Sequence, residues 1–277
     1  VPELPEVETT ACGIRPWLEN RRIEKVSVHH AGLRWPVPEN LASTLSGQLV
    51  TAVQRRGKYL ILKTPASDVL IHLGMSGSLR VDVDGGARRK HDHVEWQVTD
   101  AVLRFHDPRR FGCVLLAEDA MQHPLIARLG PEPLGAQFTA EYLYRQSRGR
   151  RQAVKSFIMD ARIVVGVGNI YASEALFSAG IWPQAAAGRL SRTSYRRLVD
   201  AIRDTLRHAI AAGGTTLQDF VNANGQPGYF AQNLAVYGRA GQPCERCGTA
   251  IASATIGQRN SYFCPSCQRT GRYVRAR

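Results

Sequence analysis

Two Cys-x-x-Cys pairs near the C-terminus, Cys244-Glu-Arg-Cys247 and Cys264-Pro-Ser-Cys267, constrain this chain more than any other feature. Residues 248–263 lie between them. That segment is long enough to turn back as a hairpin and bring four sulfurs to one tetrahedron, the spacing of a structural zinc site. Two redox dithiols or a pair of disulfides are the competing readings. A redox Cys-x-x-Cys belongs beside a βαβ pattern, which is absent here. Little else in this tail can build a core, so metal ligation is expected to supply much of its folding free energy. The tail is also basic, with Arg246, Arg259, Arg269, Arg272, Arg275 and Arg277 facing one acid, Glu245. An arginine-coated hairpin of this kind implies a phosphate backbone as partner.

The 277 residues exceed one average domain, so two domains plus the small zinc module are expected. A hydrophobic fraction of 44% is enough for real cores. The formal charge is +13, and ligation of one Zn²⁺ by four thiolates (−4 + 2) leaves about +11. That balance suits nucleic acid first and an anionic membrane surface second. The membrane reading is weak, because no apolar run approaches ~18 residues. Glu3, Glu6 and Glu8 occupy the place where a signal peptide carries basic and apolar residues, so none is expected. Cys12 and Cys113 fit no obvious disulfide framework, which favours a reducing cytoplasm and buried structural thiols. The basic residues are 31 Arg and 5 Lys. Arginine suits bidentate phosphate contacts, although GC-rich coding explains most of the skew.

The spacing predicts a first helix over 5–19. Short strands follow at 22–29, 49–56, 59–64, 69–73, 78–82, 93–99 and 102–107, punctuated by Gly57, Gly74, Gly77 and Gly85-Gly86. So many short strands in a hundred residues imply a sandwich or barrel. Leu129-Gly130-Pro131-Glu132-Pro133-Leu134 marks a linker, and helical periodicity returns over 141–148, 152–160, 170–179 and 194–212. The expected organisation is therefore α+β and multidomain: a β-sandwich domain at 1–130, a linker at 131–138, a helical domain at 139–236 and a zinc finger at 237–277.

Four further constellations carry chemistry, each with a plainer alternative. Val165-Gly166-Val167-Gly168-Asn169-Ile170-Tyr171 is a glycine-rich turn opening a helix at Asn169 or Ile170, where N–H groups can approach a phosphate; a plain helix–helix connection is the alternative. Asp107-Pro108-Arg109-Arg110-Phe111-Gly112 places an aromatic between arginine and glycine. It reads as a wedge between bases, or as a core Phe with solvated neighbours. Met75 lies between Gly74 and Gly77 in a turn or in the core, and Lys58 is a phosphate contact or a strand-start charge. Finally, a free N-terminal Pro2 would be a secondary amine able to attack an electrophilic sugar carbon and form an iminium. Glu3 and Glu6 beside it can handle protons, or merely favour a helix N-terminus.

Pro2-Glu3-Leu4-Pro5-Glu6-Val7-Glu8, Arg56-Gly57-Lys58-Tyr59, His72-Leu73-Gly74-Met75-Ser76-Gly77, the Asp107–Gly112 and Gly166–Tyr171 motifs and the cysteine hairpin with Gln258-Arg259 occur in one order along the chain. In that order they strongly resemble the formamidopyrimidine-DNA glycosylases, over essentially the whole sequence. Gly213-Gly214-Thr215-Thr216-Leu217, Pro227-Gly228-Tyr229-Phe230 and Val236-Tyr237-Gly238-Arg239 point to the purine-lesion branch rather than the endonuclease VIII-like one.

The resemblance implies a two-layered β-sandwich with flanking helices, a helical helix–two-turn–helix domain and a zinc-finger β-hairpin, with DNA in the cleft between domains. It implies a monomeric, cytoplasmic base-excision enzyme that removes 8-oxoguanine and formamidopyrimidines from double-stranded DNA. Pro2 would be the nucleophile at C1′, and Glu3 the general acid/base at the sugar. Glu6 and Glu174 would order the N-terminal site. Lys58 would serve β-elimination, and Arg259 would serve δ-elimination. Met75, Arg109 and Phe111 would fill the vacated base stack, with Arg109 also meeting the estranged cytosine. His91, Arg150, Lys155 and Asn169 would be further DNA contacts, and Leu217–Gly228 the lesion-recognition loop. Cys244, Cys247, Cys264 and Cys267 would hold one structural Zn²⁺. The rival readings are an endonuclease VIII-like glycosylase for oxidised pyrimidines and a DNA-binding protein whose chemistry has lapsed. Val1 precedes Pro2, whereas the family begins at proline. The expectation is a GTG start codon read as initiator Met, whose removal exposes Pro2.

Overall fold

Alternating apolar and charged residues in the N-terminal half resolve into eight antiparallel strands in two four-stranded sheets. The computed structural model describes residues 2–83, 85–214 and 234–269; the expectations for Val1, for Leu217–Gly228 and for Arg272, Arg275 and Arg277 lie outside them. One sheet has the order β1 (Ile23–Val28), β6 (Asp92–Val98), β7 (Ala101–His106), β5 (Ser78–Asp82). The other has the order β2 (Ala52–Arg56), β3 (Tyr59–Lys63), β4 (Asp68–His72), β8 (Cys113–Ala117). The inner faces supply Val53, Leu60, Leu62, Ile71, Val94, Trp96, Leu103 and Phe105, all buried in one core.

The first sheet's opposite face carries an ionic ladder. Arg80 and Arg104 stand directly across from each other, an arrangement that like charges make unfavourable alone. Asp82 bridges both, Glu95 pairs with Arg104, and Asp92 pairs with Arg80.

Helix α1 (Leu4–Leu18) closes one side of this core with Val7, Ala11, Ile14 and Leu18, and packs on β2. Val53 N–H donates to Glu19 and Arg15 reaches the Val53 carbonyl, fixing helix to strand. A short α2 (Leu41–Leu45) contacts β1.

The strand count and one thiol need correction. β8 was not anticipated, because Cys113–Ala117 is a short, uniformly apolar run with no alternation to distinguish strand from helix. The buried-thiol reading holds for Cys113, but Cys12 is exposed on α1.

The chain divides into two compact units. Of the described residues, one takes 2–128 and 210–214, and the other takes 129–209 and 234–269. In the second unit, a short α3 (Pro124–Ala127) having ended the first, come α4 (Ala140–Ser147), α5 (Val154–Ile158), α6 (Asn169–Ser178) and most of α7 (Arg192–Ala211). Thr139 caps α4 by accepting from Tyr142 N–H, and α6 is buried from Ile170 to Phe177. The expected helix over 152–160 is shorter, at Val154–Ile158. Strands β9 (Ala252–Ile256) and β10 (Arg259–Phe263) form the C-terminal hairpin.

Candidate active site and nucleic-acid interface

In the first unit, the start of α1 is built from acids and prolines. Glu3 is the N-cap and Glu6 the third helical residue, and they form a reciprocal capping box in which Glu6 accepts from Glu3 N–H at 2.8 Å. The helix dipole favours both carboxylates there. Pro2, Glu3 and Glu6 are all buried, an unusual state for charged side chains. Gly214, at φ +84°, lies against the Glu6 carboxylate; a Cβ there would stand 3.1 Å from its Oε1.

Lys58 sits at the tip of the β2–β3 hairpin, where Arg56 pairs with Tyr59 and only two residues make the turn. Gly57 takes φ +58°, which an L side chain resists. Arg55 ties this hairpin to α1 through Glu8. His72, at the end of β4, lies beside the hairpin, its ring 4.8 Å from that of Tyr59. Burial, then the Lys58 charge, then Arg34 push His72 down to about 4. Its Nδ1 accepts from Gly74 N–H at 3.0 Å. The ring is thus a neutral, oriented group next to Lys58. It was not singled out from the sequence, because its partners come from a neighbouring strand rather than from a motif.

The Met75 turn and the Asp107–Gly112 turn stack backbone on backbone. A Cβ on Gly74 would fall 2.5 Å from Gly112 N, so only glycine permits the approach. Buried Asp107 locks the pair by accepting from the Ser76 hydroxyl at 2.7 Å and from Gly112 N–H at 2.8 Å. The Ser76 oxygen in turn accepts from Arg109 N–H. The structure therefore brings Met75, Arg109 and Phe111 onto one platform. Phe111 is 44% exposed, and the Arg109 guanidinium lies 4.9 Å from its ring centroid. That exposure excludes the core reading of Phe111. His91 is half-buried just before β6, beside His93 and His106.

In the second unit, Asn169 begins α6 with its side-chain amide held by hydrogen bonds. Its Oδ1 accepts from the Lys155 ammonium, while its Nδ2 donates to the Asn260 carbonyl at 3.0 Å and toward the Tyr237 hydroxyl. Lys155 was expected to face DNA; the structure instead buries it to 1% exposure and also bonds it to Ser261 Oγ at 2.5 Å. Its aliphatic stem packs inside while its charge joins α5, α6 and β10. Lys155 in this arrangement positions Asn169 and the hairpin. Arg259 is exposed at the first position of β10, after Gly257 at φ +55° and Gln258 at φ +61°. A Cβ on Gly257 would meet Ser156 Oγ at 2.7 Å, so the hairpin tip is seated closely on α5. Arg150 is exposed after α4.

Glu174 lies away from the N-terminal acids in sequence, within α6, and its carboxylate accepts from the backbone N–H groups of Ala235, Val236 and Tyr237. Burial raises its pKa, and those three hydrogen bonds oppose the rise. It fixes the chain leading into the zinc module.

The four cysteines converge. Their sulfurs all lie within 4.8 Å of one another, with Cys247–Cys264 at 3.5 Å and Cys244–Cys267 at 3.9 Å. A tetrahedron of Zn–S bonds near 2.3 Å has edges of about 3.8 Å, so the donor set fits zinc. Each knuckle is closed by backbone bonds, Gly248 N–H to Cys244 O and Gln268 N–H to Cys264 O. Around them, Phe177, Val236 and Ile251 complete a small core with Cys244 and Cys264. Arg246, expected among the phosphate-facing arginines, instead stacks on Phe177 and donates to its carbonyl at the end of α6.

The comparisons agree along the chain. Residues 1–114 match the formamidopyrimidine-DNA glycosylase N-terminal domain, 129–221 its H2TH domain, and 241–270 the zinc finger found in FPG and IleRS. Formamidopyrimidine-DNA glycosylases of Ectopseudomonas mendocina and Syntrophotalea carbinolica are 55% and 56% identical, over 97% of this chain and 100% of theirs. The fold is similar to MutM (FPG) of Thermus thermophilus, with a TM-score of 0.87 and 36% identity over 96% of this chain and 98% of that one. It is also similar to a Lactococcus lactis FPG mutant in complex with Fapy-dG-containing DNA, with a TM-score of 0.90 and 30% identity over 97% of this chain and 100% of that one. With its four thiols forming a structural zinc site, the chain belongs to the formamidopyrimidine-DNA glycosylase family of base-excision-repair enzymes.

Proposed function

We propose that this enzyme binds double-stranded DNA as a cytoplasmic monomer and removes oxidised purines, 8-oxoguanine opposite cytosine and formamidopyrimidines, using Pro2 as its nucleophile. The observation that carries this reading is the burial of Pro2 directly ahead of a two-carboxylate capping box at the head of α1.

The Pro2 nitrogen lone pair attacks C1′ of an everted nucleotide, and the C1′–N bond electrons leave with the base, which is protonated. Opening of the sugar, with Glu3 handling its proton, gives an iminium between Pro2 and C1′. Loss of a C2′ proton then expels the 3′ phosphate, and a second elimination expels the 5′ phosphate. Lys58 and Arg259 serve these two steps while gripping the phosphates. Glu6 orders the N-terminal acid pair through Glu3 N–H. Asn169 meets the lesion's flanking phosphates, with Arg150 and His91 as outer contacts. Charge-assisted bonds of this kind offset the few kcal/mol needed to unstack a base, and Met75, Arg109 and Phe111 fill the gap it leaves.

Zinc, when bound to Cys244, Cys247, Cys264 and Cys267, supplies folding free energy to the hairpin that carries Arg259. Related enzymes crystallised with Fapy-dG DNA and with abasic-site DNA support the substrate class, and one such structure holds an oxidised pyrimidine. A comparative nicking assay on 8-oxoguanine·cytosine and thymine-glycol duplexes tests it. The expected outcome is faster cleavage of the purine substrate, with phosphate at both ends of a one-nucleoside gap. Preference for thymine glycol would overturn the purine assignment. Intact mass of protein expressed from its native start should place Pro2 first; a retained residue before it would remove the nucleophile.

A further inference from the structure

Arg259 stands at the first position of β10, and its guanidinium has no ion pair among the described residues. Where this long side chain reaches is therefore set by its backbone. A two-residue turn with both φ positive, Gly257-Gln258, leads into it. The hairpin has only two strands, so its tip needs support from outside the ladder.

Ser261, two residues further on, provides a link that the chemistry above does not use. Side chains at 259 and 261 leave the strand on one face. Ser261 is fully buried, and its Oγ meets two groups, the Lys155 ammonium at 2.5 Å and the Arg259 carbonyl at 3.1 Å. Valence fixes the direction of both bonds. An ammonium has only protons to give, so Oγ accepts from Lys155. A carbonyl has none, so the single hydroxyl proton goes to Arg259. Donation from a charged group polarises the hydroxyl and strengthens the bond it passes on. The same ammonium donates to Asn169 Oδ1, and Asn169 Nδ2 returns to β10 at the Asn260 carbonyl. The carbonyls of Arg259 and Asn260 are thus held by side chains in one ring that runs from Lys155 through Ser261, β10 and Asn169 back to Lys155.

We propose that Ser261 is a positioning residue for the second elimination, its hydroxyl tying the Arg259 backbone to the buried Lys155 ammonium, so that one charge sets both Asn169 and Arg259. Ser261 itself touches neither DNA nor the reacting atoms. Its role rests on the one proposed for Arg259, and a duplex with a preformed abasic site tests it without base release. Gels of single-turnover reactions separate the two products: a strand ending in the unsaturated sugar aldehyde after the first elimination, and one ending in 3′ phosphate after the second.

S261A removes the hydroxyl and leaves a smaller side chain in the buried site. It should slow the second elimination about 10-fold, the effect of losing one hydrogen bond that aligns a catalytic group. The first elimination should stay within about twofold of wild type, and zinc should remain stoichiometric. S253A, which removes an exposed hydroxyl from β9 of the same hairpin, should match the wild type. In an R259A background S261A should slow the second elimination no further, whereas in an N169A background its effect should persist. An unchanged second elimination in S261A, equal slowing of both eliminations, loss of zinc, or multiplying effects of S261A and R259A would overturn the proposal. A wild-type second elimination in R259A alone would strike the role proposed for Arg259, and that of Ser261 with it. The single R259A variant thus tells the two failures apart.

Discussion

Two hairpin tips in this molecule present a cation directly after a left-handed turn, and they are held in place by opposite means. Lys58 follows Gly57 on the β2–β3 hairpin; Arg259 follows Gly257 and Gln258 on β9–β10. The first hairpin lies in a four-stranded sheet and buries Val53, Leu60 and Leu62 in a core shared by two sheets and α1. The second has a single partner strand and a core of five buried residues, two of them zinc-binding cysteines. A lone two-stranded hairpin is marginal in water. One arm thus takes its rigidity from apolar burial, and the other takes it from four metal–sulfur bonds and a buried lysine. The roles proposed for Lys58 and Arg259 need a fixed backbone, and the two hairpins reach one by different means.

The largest expected effect comes from removing the metal. Zinc release by a chelator, or Cys264→Ala, should unfold the β9–β10 hairpin and weaken DNA binding at least about 100-fold, because structural zinc contributes folding free energy of about 10 kcal/mol or more. Amide exchange should show protection lost over 244–268 and retained in β3, β4 and β6. Loss of protection in both hairpins together would break the contrast. Leu60→Ala is the reciprocal test. Leu60 is fully buried, so the substitution should cost about 2–5 kcal/mol in a denaturant titration of the first unit. Stoichiometric zinc should remain bound.

Acid sensitivity should separate the tips as well. His72 is held neutral, down to about 4 from an ordinary 6.5. The unfolded chain therefore binds the extra proton first. Stability is fully present above pH 6.5 and falls as pH drops from there toward 4, by up to about 3 kcal/mol. H72Q should flatten that part of the pH–stability curve; an unchanged curve would remove His72 as its source. The smallest effect is expected at the turns. Gly57→Ala places a side chain at positive φ, at a cost of about 1–2 kcal/mol. Gly257→Ala adds a clash with Ser156 Oγ to similar strain and should lower stability further. Equal losses by thermal melting would contradict the close seating of the second tip.

Much of this was legible in residue spacing. The Cys-x-x-Cys pairs specified the metal cage, and Pro2 to Glu6 specified a capped helix start. Gly57 and Gly74, which punctuate the strands in the sequence, fall at left-handed positions, and at Gly74 two backbones meet. The parts that were not legible depend on distant partners. Lys155 reads as a surface cation until Asn169 and Ser261, 14 and 106 residues away, are seen around it. Arg246 was counted among phosphate-facing arginines because nothing local indicates that Phe177 will lie beneath it. His72 gains its character from a neighbouring strand. β8 has an apolar run too short and uniform to carry a period. Sequence periodicity records which face is buried, but not which element arrives to cover it.

In the proposed chemistry, bond making belongs to the buried N-terminal proline and zinc has no part in it. Borohydride reduction of the enzyme mixed with an 8-oxoguanine duplex measures this directly. The prediction is a covalent protein–DNA adduct whose attachment site, read by peptide mass spectrometry, is Pro2, and most of which is lost in Pro2→Gly. Undiminished trapping in Pro2→Gly, or an adduct mapped to Lys58 or another lysine, would contradict the central claim.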